Sequence, residues 1–343
     1  MAPAGIFNQD LFSMETLAAS INQLPYVPGR LGRLGLFEEA GIATLTAIIE
    51  RQGSTLSLVS NKPRGAPGAS VTADKRGAIS IIAPHLPVED AIVADELQGV
   101  REFGSASEMR TLTGLRDRKL LKMGRMLDQT LEYHRMGAIQ GIVLDADGST
   151  VIFNAFTAFG ISAPGDIPIT FSTAYSSATM AGPIATAITV AKRTVRDALG
   201  GDEADDYYVA CSDSFFDKLK NHGEVRGTYL NQQAANAMRE NPNTGGTIDS
   251  VYYSGMLFEN YRGKGSVVVP DGKAVIVPRG IPGLYITRFA PAPWFSAVNT
   301  LGLPKYVLAT PDPTGEKRLD LEAQTNPINL CTRPEAIRWF VAA

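Results

Sequence analysis

The sequence predicts an α+β fold, on three observations: one long amphipathic helix near residue 105, a mixed run of helices and strands over roughly 173 to 309, and a tail of short strands separated by prolines. The helix is the strongest of these. It is predicted from Ser105, which with Glu108 forms a capping box, to Gly137 as its stop. Met109, Leu112, Leu115, Leu120, Met123, Met126, Leu127 and Leu131 recur mostly in steps of three or four. One apolar stripe with much charge around it suits a helix lying across a thin sheet rather than one sunk in a globular centre. Gly114 and Gly124, each costing about 1 kcal/mol against alanine, predict close backbone packing.

The remaining elements follow in chain order. Residues 1 to 41 mix a short amphipathic piece with LPYVPGRLGRLG, whose prolines and glycines forbid a long regular element. This reads as an extended arm. Its apolar residues, among them Phe7, Phe12, Tyr26, Leu31 and Phe37, are too many for a free linker and must lie against something. From Ile42 to Ser60 a β-branched run reads as a strand, a Pro- and Gly-rich tip follows, and AISIIAP returns as the second strand. Such a hairpin is marginal alone and needs a partner surface. Its basic residues include Lys62, Arg64, Lys75 and Arg76, against Asp74 alone, whereas residues 89 to 108 carry six acidic residues and only Arg101. Opposite charge on neighbouring copies would orient their docking; two solvated faces would read the same way.

After the long helix, GIVLDADGSTVIFNAF reads as two strands around a turn at Asp145 to Gly148. A calcium loop fails there, because Val143 and Asn154 stand where carboxylates are required. GPIATAITVAKRTVRDAL is a helix with Pro183 in its first turn, an inward face of Ile184, Ile188, Ala191 and Val195, and a stop at Gly200-Gly201. A strand YYVAC, a helix capped by Ser212, a further helix within Glu224 to Arg239, and strands at VYYSGMLFENY, KAVIVPR and LYITRF complete the mixed unit. In the tail, Leu319, Leu321 and Ala323 alternate onto one face of a sheet with one side covered.

Composition narrows the function. The chain has 343 residues, 20% of them charged, and a net charge of −3, so it is no polycation built to grip nucleic acid. No apolar run is long enough to span a membrane, and the start lacks a basic-then-apolar leader, so the chain reads as made and kept inside a cell, with no membrane partner. Cys211 and Cys331 read as two buried free thiols. His85, His134 and His222 stand alone, without the companions of a catalytic or metal-binding histidine. Arg262 to Ser266 departs from a phosphate loop at two positions, and neither a dinucleotide turn nor a nucleophile elbow is present. The expectation is no enzyme, no catalytic residue, no metal and no cofactor.

Three stretches carry a resemblance: IIERQGSTLSLVS, PRGAPG (Pro63 to Gly68) and APHLPVEDAIVADELQGVREFGS (Ala83 to Ser105). With TPDPTGEKRLDLEAQTNPINLC in the tail, the chain closely resembles tailed-phage major capsid proteins of the lambda E type. That resemblance implies a Hong Kong 97-type viral capsid fold. Residues 1 to 50 would be the N-terminal arm and 51 to 87 the E-loop. Residues 88 to 172 and 310 to 334 would form the P-domain with its spine helix over 105 to 137, and 173 to 309 with 335 to 343 the A-domain. The last strand, near Ile337 to Val341, would rejoin the A-domain. The resemblance further implies pentamers and hexamers of an icosahedral shell around double-stranded DNA, assembled in the host cytoplasm into a virion capsid. A scaffolding protein, a portal and a decoration protein would be its partners. Lys62, Arg64, Lys75 and Arg76 on the E-loop, and Phe7, Phe12 and Tyr26 on the arm, are the expected inter-subunit contacts. Some shells of this fold crosslink a loop lysine to an asparagine, which here would join Lys62 or Lys75 to Asn326 or Asn329, although lambda-type shells resemble the uncrosslinked kind. The competing readings are an encapsulin-like compartment of the same fold and a soluble enzyme.

Overall fold

The computed structural model describes residues 29–52, 76–98, 112–171, 182–231, 250–262, 268–312 and 317–343. The chain enters through a one-turn helix α1 (Arg30–Arg33), a strand β1 (Glu38–Gly41), and the base of the predicted hairpin, β2 (Thr46–Gln52) and β3 (Arg76–Ile82). β4 (Leu86–Val93) precedes the long helix α2 (Leu112–Gln140), which is followed by β5 (Ile142–Leu144), β6 (Val151–Asn154), α3 (Ala155–Ala158) and β7 (Ile167–Ile169). The mixed unit holds α4 (Pro183–Ala198), β8 (Asp206–Cys211), α5 (Asp213–Asn221), α6 (Gly223–Asn231), β9 (Ser250–Tyr253), β10 (Met256–Asn260), β11 (Lys273–Arg279) and β12 (Tyr285–Phe289). The tail adds β13 (Tyr306–Pro311), β14 (Arg318–Thr325), β15 (Pro327–Cys331) and β16 (Arg338–Ala342).

These strands make three larger sheets and two hairpins, β2-β3 and β5-β6. β13-β14-β4 is a thin antiparallel sheet, and Leu319, Leu321 and Ala323 turn inward from it as the alternation predicts. The first half of α2 lies across that face, where Leu115, Leu120, Met123 and Leu127 meet Ile92, Val307, Leu319 and Leu321. Each such side chain contributes roughly 1.5–3 kcal/mol on burial. A six-stranded mixed sheet, β7-β16-β11-β8-β10-β9, carries α4 with Ile184, Ile188, Ala191 and Val195 fully buried. The closing strand β16 pairs with β11 in this sheet. A third sheet is β1-β12-β15, whose edge strand β1 runs parallel to β12. β12 thus joins neither the six-stranded sheet of β11 nor the thin sheet of β13.

Several expectations are corrected. α2 does not stop at Gly137 but runs on to Gln140, and Gly141 with φ of +90° ends it. Gly137 has another purpose: a Cβ there would sit 2.7 Å from the Ile142 carbonyl oxygen, so β5 can fold back against the helix only over glycine. The second half of α2 is sunk in a globular centre after all, with Glu132, His134, Arg135, Met136, Ala138 and Ile139 all buried. Met126, placed on the apolar stripe by spacing, is instead 48% exposed, because the stripe drifts around a straight helix of this length. The Ser105–Glu108 capping box lies outside the described residues. Ser212 does sit at the N-cap of α5, but its hydroxyl makes no cap hydrogen bond. The failed calcium loop is a self-contained turn: Asp147 accepts from the amides and hydroxyls of Ser149 and Thr150, which holds its carboxyl below the usual range.

Candidate assembly surface

The arm enters the body through a buried ionic anchor. α1 is too short to satisfy its own first amides. The Glu132 carboxylate on α2 does so, accepting from Leu31 N at 2.7 Å and Gly32 N at 3.3 Å. It also accepts from the Tyr261 hydroxyl at 2.9 Å. Burial, and next the Glu132 charge, push the Tyr261 phenol above its ordinary range. Gly29 is required here, since a Cβ would lie 2.1 Å from the Glu132 carboxyl carbon. Arg30 clamps Glu259 of β10, with Nε 2.7 Å from Oε1 and Nη2 2.5 Å from Oε2. That hydrogen-bonded fork raises the Arg30 pKa further and neutralises a Glu259 that is almost wholly buried.

A second ionic pair follows one helical turn along α2. Arg135 is 1% exposed, bonds Glu39 of β1 and lies over the Phe37 ring, 5.2 Å from its centroid. Asp128 pairs with Lys305 at 2.8 Å, while burial draws its pKa upward against that pull. Leu31 and Phe37 are buried in the main core, as the excess of apolar residues in the arm predicts. The hairpin base is held by its inner face: Ala47 and Ile81 pack on Ile286 of β12 and on Ile328 and Leu330 of β15. The partner surface this hairpin requires is therefore, at its base, the chain's own β1-β12-β15 sheet.

The residues singled out in the sequence fare unevenly. Phe7, Phe12, Tyr26, Lys62, Arg64 and Lys75 lie outside the described residues. Arg76 opens β3 opposite Gln52, but its side chain too lies outside them. Asn326 and Asn329 are buried; Asn326 faces His85 and the Pro291 carbonyl, and Asn329 accepts from the Thr287 hydroxyl. Both residues lie inside the chain and not at its surface. Both cysteines are buried free thiols, with Cys331 pushed up to about 12 by burial. The anchoring residues Glu132, Arg135, Glu259 and Arg30 escaped the sequence reading. For Glu132 and Arg135 the signal is acid and base spaced along a helix whose apolar stripe alone is too narrow for its burial.

A profile of the family described as "Phage major capsid protein E" matches residues 13–341. The chain belongs to that family. Two of its relatives are the major capsid proteins of Salmonella phage Felix O1 and Pseudomonas phage KPP10, each 27% identical to this chain, over 95% and 96% of both sequences respectively. Among solved structures, a proposed prophage capsid protein of E. coli CFT073 superposes with a TM-score of 0.57 at 12% identity, over 96% of this chain and 99% of that one. The capsid of an empty GTA particle gives 0.50 at 11% identity, over 93% and 92%. The capsid family and the long helix laid over a thin sheet make this a Hong Kong 97-type fold. Members of the phage major capsid protein E family are structural proteins, not enzymes, and this member is a self-assembling shell protein of the virion capsid.

Proposed function

We propose that the chain forms pentamers and hexamers of an icosahedral shell enclosing double-stranded DNA. The carrying observation is the family match from residue 13 to residue 341, which takes in arm, hairpin, helix and tail together. The division of labour is the one the resemblance implies: an arm over 1 to 50, an E-loop over 51 to 87, a P-domain over 88 to 172 and 310 to 334, and an A-domain over 173 to 309 and 335 to 343. The thin sheet with α2 across it fits the P-domain, and the six-stranded sheet fits the A-domain, with β7 contributed from before residue 173. Arm and E-loop reach over neighbours, so burial that one chain leaves incomplete is finished between chains. Phe7, Phe12 and Tyr26 on the arm, and Lys62, Arg64, Lys75 and Arg76 on the E-loop, make those contacts.

DNA lies against the inner face without sequence specificity, and a chain with a net charge of −3 offers it no overall positive field. A scaffolding protein, a portal and a decoration protein complete the particle, which assembles in the host cytoplasm. Expression of the chain alone, followed by sedimentation and negative-stain imaging, tests the reading. Shells, tubes or capsomers are expected. A chain that stays monomeric at high concentration, with or without a scaffolding protein, overturns it.

A further inference from the structure

The hairpin base carries large apolar residues on both faces, and among the described residues only one face is covered. β2 and β3 direct Ala47 and Ile81 inward, whereas Ile48 and Ile82, on the opposite face, are 67% and 73% exposed, and neighbouring Leu45 is 60% exposed. The loop after β12 is tied to the segment that leads into β2: Gly302 N donates to the Ile42 carbonyl at 3.0 Å, and a Cβ on Gly302 would collide with the Phe289 carbonyl. That loop exposes Phe295, Val298 and Leu301. Residues 41–49, 77–84 and 290–304 contain no charged side chain, in a chain that is 20% charged.

Six large side chains at half exposure or more amount to several hundred Å², at or above the roughly 300–600 Å² of the largest patch on an ordinary monomer. That approaches the ~800 Å² which each partner gives to a standard interface. Depletion of charge is the compositional mark of an interface core. It also rules out a phosphate backbone or any other anion as the occupant, since nothing in the patch could neutralise one.

We propose that this patch, formed by the outer face of the β2-β3 base and the 290–304 loop, is a dry contact that seats an apolar surface of a second copy of the chain in the shell. The proposal rests on the shell reading above and adds to it a place on the body, distinct from the charged tip of the E-loop. Burial here locks the base of the hairpin between the chain's own β1-β12-β15 sheet and the neighbour. The hairpin's direction is thereby fixed when copies meet, and shape and apolar area set the strength of this contact, independently of salt.

The test uses the full chain in three forms: wild type, Ile82→Glu with Leu301→Glu, and a variant with a photo-crosslinking phenylalanine analogue at Phe295. Both glutamates would stand at exposed positions, so far-UV circular dichroism and the melting temperature of the unassembled chain should not change. The concentration needed for assembly should rise at least tenfold at both low and high salt. In wild-type-like particles, the analogue should yield covalent dimers of the chain. Glutamate variants that assemble at the wild-type concentration overturn the proposal, and so does a crosslink that stays within one chain, which would assign the patch to the chain's own arm. Failure of the wild type to assemble removes the shell reading itself, a result distinct from either.

Discussion

His134 is buried on α2 at 1% exposure, and neither of its ring nitrogens has a hydrogen-bond partner among the described residues. Burial lowers its pKa from the ordinary 6.5 to about 4, with Asp145 opposing weakly. The unfolded chain therefore binds this proton more readily than the folded one between about pH 6.5 and 4. Stability is fully present above that window, falls as the pH drops through it, and is flat below it. That lowering corresponds to about 3 kcal/mol lost across the window. Replacing His134 with leucine removes the titrating group without stranding a hydrogen-bond partner and keeps a good helix former. Other groups also titrate in acid, so the informative quantity is the difference between the two proteins at each pH. Thermal melts of the unassembled chain from pH 7 to pH 4 should show the variant gaining about 4 °C on the wild type over that range. Melting curves that stay parallel at every pH would refute the argument, since they would mean that the folded imidazole takes up its proton as freely as the unfolded one.

Glu132→Ala should leave the Leu31 and Gly32 amides without their acceptor and the Tyr261 hydroxyl unpaired, at a cost of about 2–4 kcal/mol. Hydrogen exchange at those two amides should accelerate far more than in the six-stranded sheet; equal rates would show that the arm is anchored elsewhere. Arg64→Glu with Arg76→Glu should leave the unassembled chain folded and slow assembly strongly at low salt and weakly at high salt, as followed by light scattering. A salt-independent effect would remove electrostatics from the account of the E-loop. Glu322 and Glu89 face each other directly across β14 and β4, a like-charged cross-strand pair. Glu322→Lys should accordingly stabilise the unassembled chain by roughly 0.2–1 kcal/mol in a urea titration, and a loss of stability would mean that the two carboxylates point apart.

What could be read from the sequence was what repeats locally. The inward faces of α4 and β14 followed from spacing, because periods of 3.6 and 2 decide which side chains share a side before any partner is known. The hairpin strands and the turn at Asp145 were legible in the same way, through β-branched runs and glycine. The cores of the capsid stretches carried the family, since PRGAPG and DELQGV are recognisable without any fold. The burial of the second half of α2 was not legible. Glu132 and Arg135 read as solvated charges, and only the meeting of α1, β1 and β10 around them, from about 100 or more residues away in the chain, turns them into anchors.

Likewise Gly137 reads as a helix stop by its identity alone, and the position of β5 makes it a point of close approach instead. Which face of the hairpin is left over, and that an uncharged loop from 250 residues later is tied to the segment leading into it, is also a matter of tertiary structure. The sequence alone determined which residues must find cover, because the cost of leaving an apolar face in water belongs to the local pattern. The tertiary structure decided which of them find it within one chain. Packing joins segments remote in sequence, and a period carries no record of that.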